Sequence, residues 1–428
     1  MTQDVQKLER YFRQHRKLAY SLIILVVLMM AGTIVLSLNI QNHQAYVTTP
    51  EAHNRAANPP ELNFNGNGIE GIGLNGSSLF RMYAGLGPVF SRNPSLTRQL
   101  ARKSLEDAGK EGFSYMRINA GGFYGSEFQQ WKSNPASWWQ SFDQMVADAS
   151  SYHIKLIPSI AWCLYAFPNE AGESITSFFT PGSTSNNDLK EYAKQLINRY
   201  KNNPGILFWE LGNEYNLKAD HANSQDTACK AGVGNGQFSS TQLGNFVTDY
   251  ATYIKDLDPN HLISSGYSRP RPYAYHLWQS YLQGKKPDYQ PDSFSQLTIY
   301  LRTVYPSTVN LMSVHLYPAA QNKIADWTVS DLISSADILG KKLFIGEFGD
   351  LGNNGQWKKN SSFIDNILKY VSAGKIAYSA PWTWESYKTI SPAGLEDYSL
   401  IPGRQPDQKW IDKFRQINGR LKSQPAHD

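Results

Sequence analysis

Two glutamates stand where apolar runs give out. Glu214 closes "ILFWELGNE" from Ile206, and Glu347 closes "KLFIGEF" from Lys342. Each run suits a buried strand and passes into polar or glycine-bearing turn residues. A carboxylate delivered there is held by rigid structure yet faces whatever lies beyond the strand. Two such groups across one cleft are what cleavage of a glycosidic bond needs, one to protonate the leaving oxygen and one to attack the anomeric carbon or activate water. They must hold different protonation states, so their surroundings must push the two pKa values apart. Arg117 in "YMRIN" and Tyr317 at the end of "LMSVHLY" are the expected partners of Glu347. Both favour its ionised form, which makes Glu347 the nucleophile and Glu214 the acid/base. The Asn213 amide is then placed to hold a substrate hydroxyl near the reacting carbon. His315, Trp382 and Trp384 also end apolar runs and are expected at the same mouth, whereas Glu210, mid-run, is expected to make a buried hydrogen-bonded contact. A single glutamate at a strand end is ordinarily a capping or solvated side chain. The ordered co-occurrence of "NE", "HLY", "GE" and a terminal Trp weighs against that reading.

The elements that must position these residues follow from periodicity. Apolar runs begin at Ile69, Tyr115, Ile154, Ile206, His261, Leu311, Lys342 and Lys375. Amphipathic, helix-like stretches lie between them, several ending in glycine as a helix C-cap would. Strands alternating with helices pair in parallel through right-handed crossovers, and eight such units close into an α/β (β/α)8 TIM barrel. An open doubly wound sheet is the alternative, but no glycine-rich phosphate loop follows the first run. In the barrel, active sites lie at the C-terminal ends of the strands, where all the residues above would converge.

The remaining sequence bounds location and partners. The chain has 428 residues, 41% hydrophobic and 13% aromatic, with a formal charge of +5 whose Lys and Arg are scattered beyond the N-terminus. No basic stripe suggests nucleic acid. Residues 18–38 carry no charge and would span roughly 30 Å as a helix, enough to cross a bilayer. Lys7, Arg10, Arg13, Arg16 and Lys17 precede this stretch. The reading is a signal anchor: 1–17 cytoplasmic, 18–38 transmembrane, 39–67 a polar linker and 68–420 an extracytoplasmic catalytic domain. Two cysteines, Cys163 and Cys229, are too few for a disulfide framework; pairing and free thiols are equally open. Sugar rings stack on aromatic faces, and Trp131, Trp138, Trp139, Trp162, Tyr165, Trp278 and Trp357 lie in suitable stretches. Most are expected in the core, with Trp162 and Tyr165 the stronger subsite candidates. The long insert at 218–240 either walls the cleft or is an excursion without a binding role.

The succession "GIGLNGSSLFR", "MRIN", "WELGNE", "HLYP", "GEFG" and "PWTW" resembles clan A glycoside hydrolases, and most of all glycoside hydrolase family 5, the cellulase and mannanase family. The resemblance runs over about 69–410. It implies a retaining mechanism with Glu214 as acid/base and Glu347 as nucleophile, and Trp382 as the platform under the sugar being cleaved. Family members commonly place a His at the end of strand three, where this chain has Ser159, Ala161 and Trp162, which affects the innermost sugar subsite. The implied partner is a β-linked glucan, mannan or related exopolysaccharide, and no metal or organic cofactor is needed. A barrel tethered at the outer face of a bacterial inner membrane suits a polymer emerging there, in association with a synthesis or export complex. A transglycosylase, or a non-catalytic binding component of export, are the alternatives.

Overall fold

The computed structural model describes residues 70–121, 127–221, 236–318, 325–352, 356–384 and 398–423. They fall in one compact unit, Phe64–Asp428. The sequence-expected anchor at 18–38 and the linker lie outside the described residues. Among the described residues, no helix is long and apolar enough to cross a membrane.

Among the described residues, nine strand segments form one parallel sheet: β1 (Gly71–Ile72), β2 (Leu74–Gly76), β3 (Tyr115–Asn119), β4 (Lys155–Ala161), β5 (Trp209–Gly212), β6 (Ile263–Ser264), β7 (Leu311–Leu316), β8 (Lys342–Phe348) and β9 (Tyr378–Pro381). β1 pairs with β9 and β2 with β3, so the two halves of one first strand close the ring. The halves part at Gly73, where a Cβ would stand 2.1 Å from Tyr115 Cε2. All eight expected runs thus supply strands of a closed barrel.

The helices pack outside by the period the sequence shows. In Pro94–Lys110, Thr97, Ala101, Ser104, Leu105 and Ala108 are buried, one stripe of a 3.6-residue repeat. Asn93 caps its start by accepting from Leu96 N, with Pro94 in the first turn. The helices Thr184–Tyr200, Ser240–Leu257 and Phe294–Val304 are capped in the same way by Ser183, Ser239 and Ser293.

Inside the barrel the side chains change character with height. Tyr115, Ile157, Phe208, Leu311, Phe344 and Tyr378 form a separate apolar cluster at the strand starts. Two residues further along several of these strands, the inward positions become Arg117, Ser159, Glu210 and Ser313, all fully buried. Period-two alternation therefore stacks an apolar plug beneath a polar layer, and the plug gives the polar groups a dry floor.

Candidate active site

β8 delivers its glutamate through an irregularity. Phe344 belongs to the plug inside the barrel, while Ile345 and Phe348 pack in the outer core. Strict alternation would turn Glu347 outward, towards the helices. The pairing with β7 shifts instead, from Val314↔Ile345 to His315↔Glu347. This bulge leaves Gly346 and Glu347 both on the mouth side, the re-aiming that bulges perform beside functional sites. Glu214 reaches the mouth by a different device. It follows β5 with φ 55° and ψ 29°, a left-handed conformation that a non-glycine residue adopts only where its surroundings hold it. Its N–H donates to Gly266 O at 2.7 Å. Gly266 has φ +71°, and a Cβ there would fall 1.8 Å from Gly212 O; only glycine permits the β6 chain to come so close.

Arg117 organises the floor. It is fully buried, its Nε donates to Glu210 Oε1 at 2.7 Å, Nη1 to Glu347 Oε1 at 2.8 Å, and Nη2 to Asn213 Oδ1 at 2.8 Å. Asn75 Oδ1 accepts a further bond from Nη1 at 3.2 Å, while Asn75 Nδ2 donates to Gly346 O and Ala380 O, tying the first strand to β8 and β9. The Tyr317 hydroxyl donates to Glu347 Oε2 at 2.8 Å, so both carboxylate oxygens are engaged. His315 Nδ1 lies 2.9 Å from Glu214 Oε1 and 3.5 Å from Glu347 Oε1, bridging the pair. One oxygen of each glutamate and a His315 ring nitrogen all lie within 4.8 Å of one another. Such a trio could ligate a cation in other surroundings, but the Arg117 charge already sits on Glu347 and would repel one.

The electrostatics of the site differ from the sequence expectation. Burial, the largest influence, holds the Glu347 carboxyl above its usual range; His315, Arg117 and the Tyr317 hydroxyl pull against it, and Glu214 adds to the rise. Burial also pushes Glu214 up, but the hydrogen bond and charge of His315, the Ser268 hydroxyl and Arg117 outweigh it and hold the carboxyl low. The expectation counted the donors to Glu347 and not the water it loses. Burial also keeps the Tyr317 hydroxyl protonated, a permanent donor to Glu347.

The sequence-expected residues divide. Glu214, Glu347, Arg117, Asn213, His315 and Tyr317 meet in one hydrogen-bonded cluster. Arg117 and His315 are buried and meet the carboxylates directly. Trp382, half-buried, lies 6.0 Å centroid to centroid from Trp162 at an interplanar angle of 30°. Trp162 in turn lies under the Arg117 guanidinium at 4.6 Å, so it braces the mouth with only 7% of its own surface free. Trp384 corrects the expectation: it is 1% exposed, its indole donates to Ser104 O in the outer helix Pro94–Lys110, and it packs on Phe113. It sits two residues beyond Trp382 but past the end of β9 at Pro381, where strand alternation no longer applies and its backbone N–H donates to Asn75 O at 2.7 Å. Tyr165 likewise is 1% exposed, and Trp131, Trp138, Trp139 and Trp357 are buried with it in the core. Cys163 is disulfide-bonded, and Cys229 lies outside the described residues. Most of the insert at 218–240 also lies outside them.

Sequence reasoning missed three residues here. Asn75 carried a signal, a polar residue closing the first apolar run. Ser268, bonded to Asn216 in the turn after Glu214, lies four residues past β6 in a stretch with no motif. Tyr398 stacks edge-on against Tyr317 at 5.4 Å, far from it in sequence.

Two carboxylates facing one another across a barrel mouth put this chain, as a class, among the barrel glycosidases. The family model described as Cellulase (glycosyl hydrolase family 5) matches residues 73–388, well over half of the chain. The protein belongs to that family. Among curated relatives it is similar to mannan endo-1,4-beta-mannosidase F of Aspergillus clavatus, 26% identical over 52% of this chain and 48% of that one. It is also similar to mannan endo-1,4-beta-mannosidase 5 of Arabidopsis thaliana, 22% identical over 77% and 80%. The chain spans about half the length of the Aspergillus relatives it matches, 48% of that from Aspergillus clavatus and 52% of mannan endo-1,4-beta-mannosidase A of Aspergillus aculeatus. Among solved structures, the endo-beta-1,4-mannanase from Thermotoga petrophila superposes with a TM-score of 0.56 at 19% identity, covering 84% of this chain and 78% of that one. The endo-1,4-beta-mannanase from Rhizomucor miehei gives 0.53 at 16%, covering 82% and 95%. At these identities the structures speak for the barrel alone.

Proposed function

We propose that this barrel is a retaining glycosidase that cleaves within β-linked mannan or a related β-glycan, with Glu347 as nucleophile and Glu214 as acid/base. The observation that carries it is the bridged carboxylate pair, with oxygens inside 4.8 Å of one another. Retention requires carboxyl groups about 5–5.5 Å apart, whereas inversion needs roughly 6.5–9.5 Å to admit a water between them. Glu347, fixed through both oxygens by Arg117 and Tyr317, is aimed for in-line attack. Glu214 protonates the leaving oxygen, and then deprotonates the water that releases the glycosyl-enzyme. Substrate binding reverses the protonation order of the two carboxyls. The Glu214 side chain is 29% exposed and that of Glu347 is 7%. A sugar seated in the mouth therefore strips more water from Glu214 and drives it towards the protonated, donating form. The half-buried face of Trp382 supplies the platform under the ring being cleaved. Mannan stands first because the curated relatives are named for it.

The N-terminal reading belongs to the same proposal. The charge-free stretch at 18–38 with basic residues before it supports an anchor that holds the barrel on the outer face of a bacterial inner membrane, where it trims a polysaccharide made by the same cell. The disulfide at Cys163 is in keeping with an oxidising compartment.

A product profile on purified mannan, glucomannan and β-glucans tests the activity. Oligosaccharides of several lengths are expected from mannan first; monosaccharide alone would overturn internal cleavage. Fractionation and exopolysaccharide length in cells carrying Glu347→Gln test the location and role. Full-length protein in the soluble fraction, or an unchanged polymer, would overturn them.

A further inference from the structure

The chain after β6 carries an aromatic pair, one ring exposed and one half-buried, that the chemistry above does not use. Ser268 is pinned to the turn that follows Glu214: Asn216 Nδ2 donates to Ser268 O at 2.8 Å, and Ser268 N donates to Asn216 Oδ1 at 2.9 Å. Tyr273 follows five residues later, so the chain places it within roughly 17 Å of Ser268. Its ring meets Tyr289 edge-on, 5.1 Å between centroids at 89°. The segment bearing Tyr289 is tied back at its end. Asp292 N donates to Pro272 O at 2.8 Å, and the Asp292 carboxylate accepts from Tyr275 N at 2.7 Å and His276 N at 3.1 Å.

Despite this anchoring, Tyr289 leaves 49% of its surface in solvent. One exposed aromatic residue is ordinary. Here it is held by a second ring, and the exposed side chains of Gln283, Lys285, Lys286 and Gln290 surround it in sequence. A fixed aromatic face with hydrogen-bonding groups about it is what a pyranose recognises: the C–H face stacks on the ring and the hydroxyls meet the polar groups.

We propose that Tyr289, backed by Tyr273, is a sugar-binding platform outside the catalytic centre that takes rings of the polysaccharide beyond the cleavage point. The acid/base faces the leaving group, and the platform is reached from the serine bonded to Asn216, two residues past that acid/base, so it serves the departing side of the chain. This rests on the polysaccharide reading above. Chains long enough to span from the mouth to Tyr289 gain from it, and short oligosaccharides do not.

The test compares wild type, Tyr289→Ala and Tyr289→Phe as full-length protein. Two quantities are measured: retention on insoluble mannan and β-glucan, and KM on polymer against KM on a trisaccharide. Tyr289→Ala is expected to weaken retention and raise the polymer KM by roughly 2- to 10-fold, the worth of one aromatic contact. The trisaccharide KM stays unchanged, and Tyr289→Phe behaves as wild type. Unaltered retention and polymer KM in Tyr289→Ala, or an equal rise on both substrates, would overturn the platform, as would a wild type that binds neither polymer. Were wild type to bind a polymer without cleaving it and Tyr289→Ala to lose that binding, the platform would stand while the glycosidase reading fell.

Discussion

Replacing Arg117 by Met probes the electrostatics of the floor. The substitution removes a fully buried cation that donates to Glu210, Glu347, Asn213 and Asn75, and it leaves two buried carboxylates without their counter-charge. Breaking a buried pair from one side costs about 3–5 kcal/mol, a large part of the roughly 5–15 kcal/mol that holds a domain together. The sign with pH follows from Glu347, which burial already holds above the usual carboxyl range with Arg117 among the groups pulling it down. Without Arg117 its folded-state value rises further. Between the unfolded and the folded value the native state binds more protons, so stability returns as pH falls through that window and is lost as pH rises through it. Urea unfolding of wild type and Arg117→Met at pH 8 and pH 5 reads this directly. The variant's deficit is expected near the full figure at pH 8 and visibly smaller at pH 5. An equal deficit at both, or one under about 1 kcal/mol, would refute the claim that Arg117 neutralises this pair.

Other perturbations separate the roles of neighbouring residues. Glu347→Gln should abolish turnover on every substrate, while Glu214→Gln should spare aryl glycosides whose leaving groups need no proton; equal losses on both would contradict the assignment. Gly266→Ala should cost roughly 2 kcal/mol or more in stability, and lower kcat, because its Cβ would meet Gly212 O at 1.8 Å beneath Glu214; an alanine variant of normal kcat would show that the close approach is dispensable. Trp384→Ala should lose about 3–5 kcal/mol with KM unchanged in the folded fraction, whereas Trp382→Ala should raise KM with little loss of stability. Thermal melts beside steady-state kinetics distinguish them, and the reverse pattern would move Trp384 back to the mouth.

The barrel was legible because eight apolar runs, separated by amphipathic stretches, permit few other closures. The carboxylates were legible because each ends a run, and Glu210 because it does not. What escaped depends on geometry that period-two alternation does not encode. Counting from Phe344 turns Glu347 towards the helices, and only the shift between Val314 and His315 brings it inward. Trp384 closes the same run as Trp382, yet the chain enters the wall between them, so equal sequence credentials hid opposite environments. Ser268 and Tyr398 join the site through loops whose course no local pattern dictates. The protonation order was misjudged because a sequence displays donors and acceptors but not the water removed from around them.

In the proposed mechanism Glu347 forms a covalent bond to the sugar, and trapping that bond tests it most directly. An activated 2-deoxy-2-fluoro β-mannoside or β-glucoside should react with the enzyme and stall, since the fluorine slows release of the intermediate more than the activated leaving group slows its formation. Peptide mass mapping is expected to find one added sugar on the peptide carrying Glu347, and none on that peptide in Glu347→Gln. A label on the Glu214 peptide instead, or an intact unlabelled protein whose first-formed product on natural substrate has the inverted anomeric configuration, would contradict it.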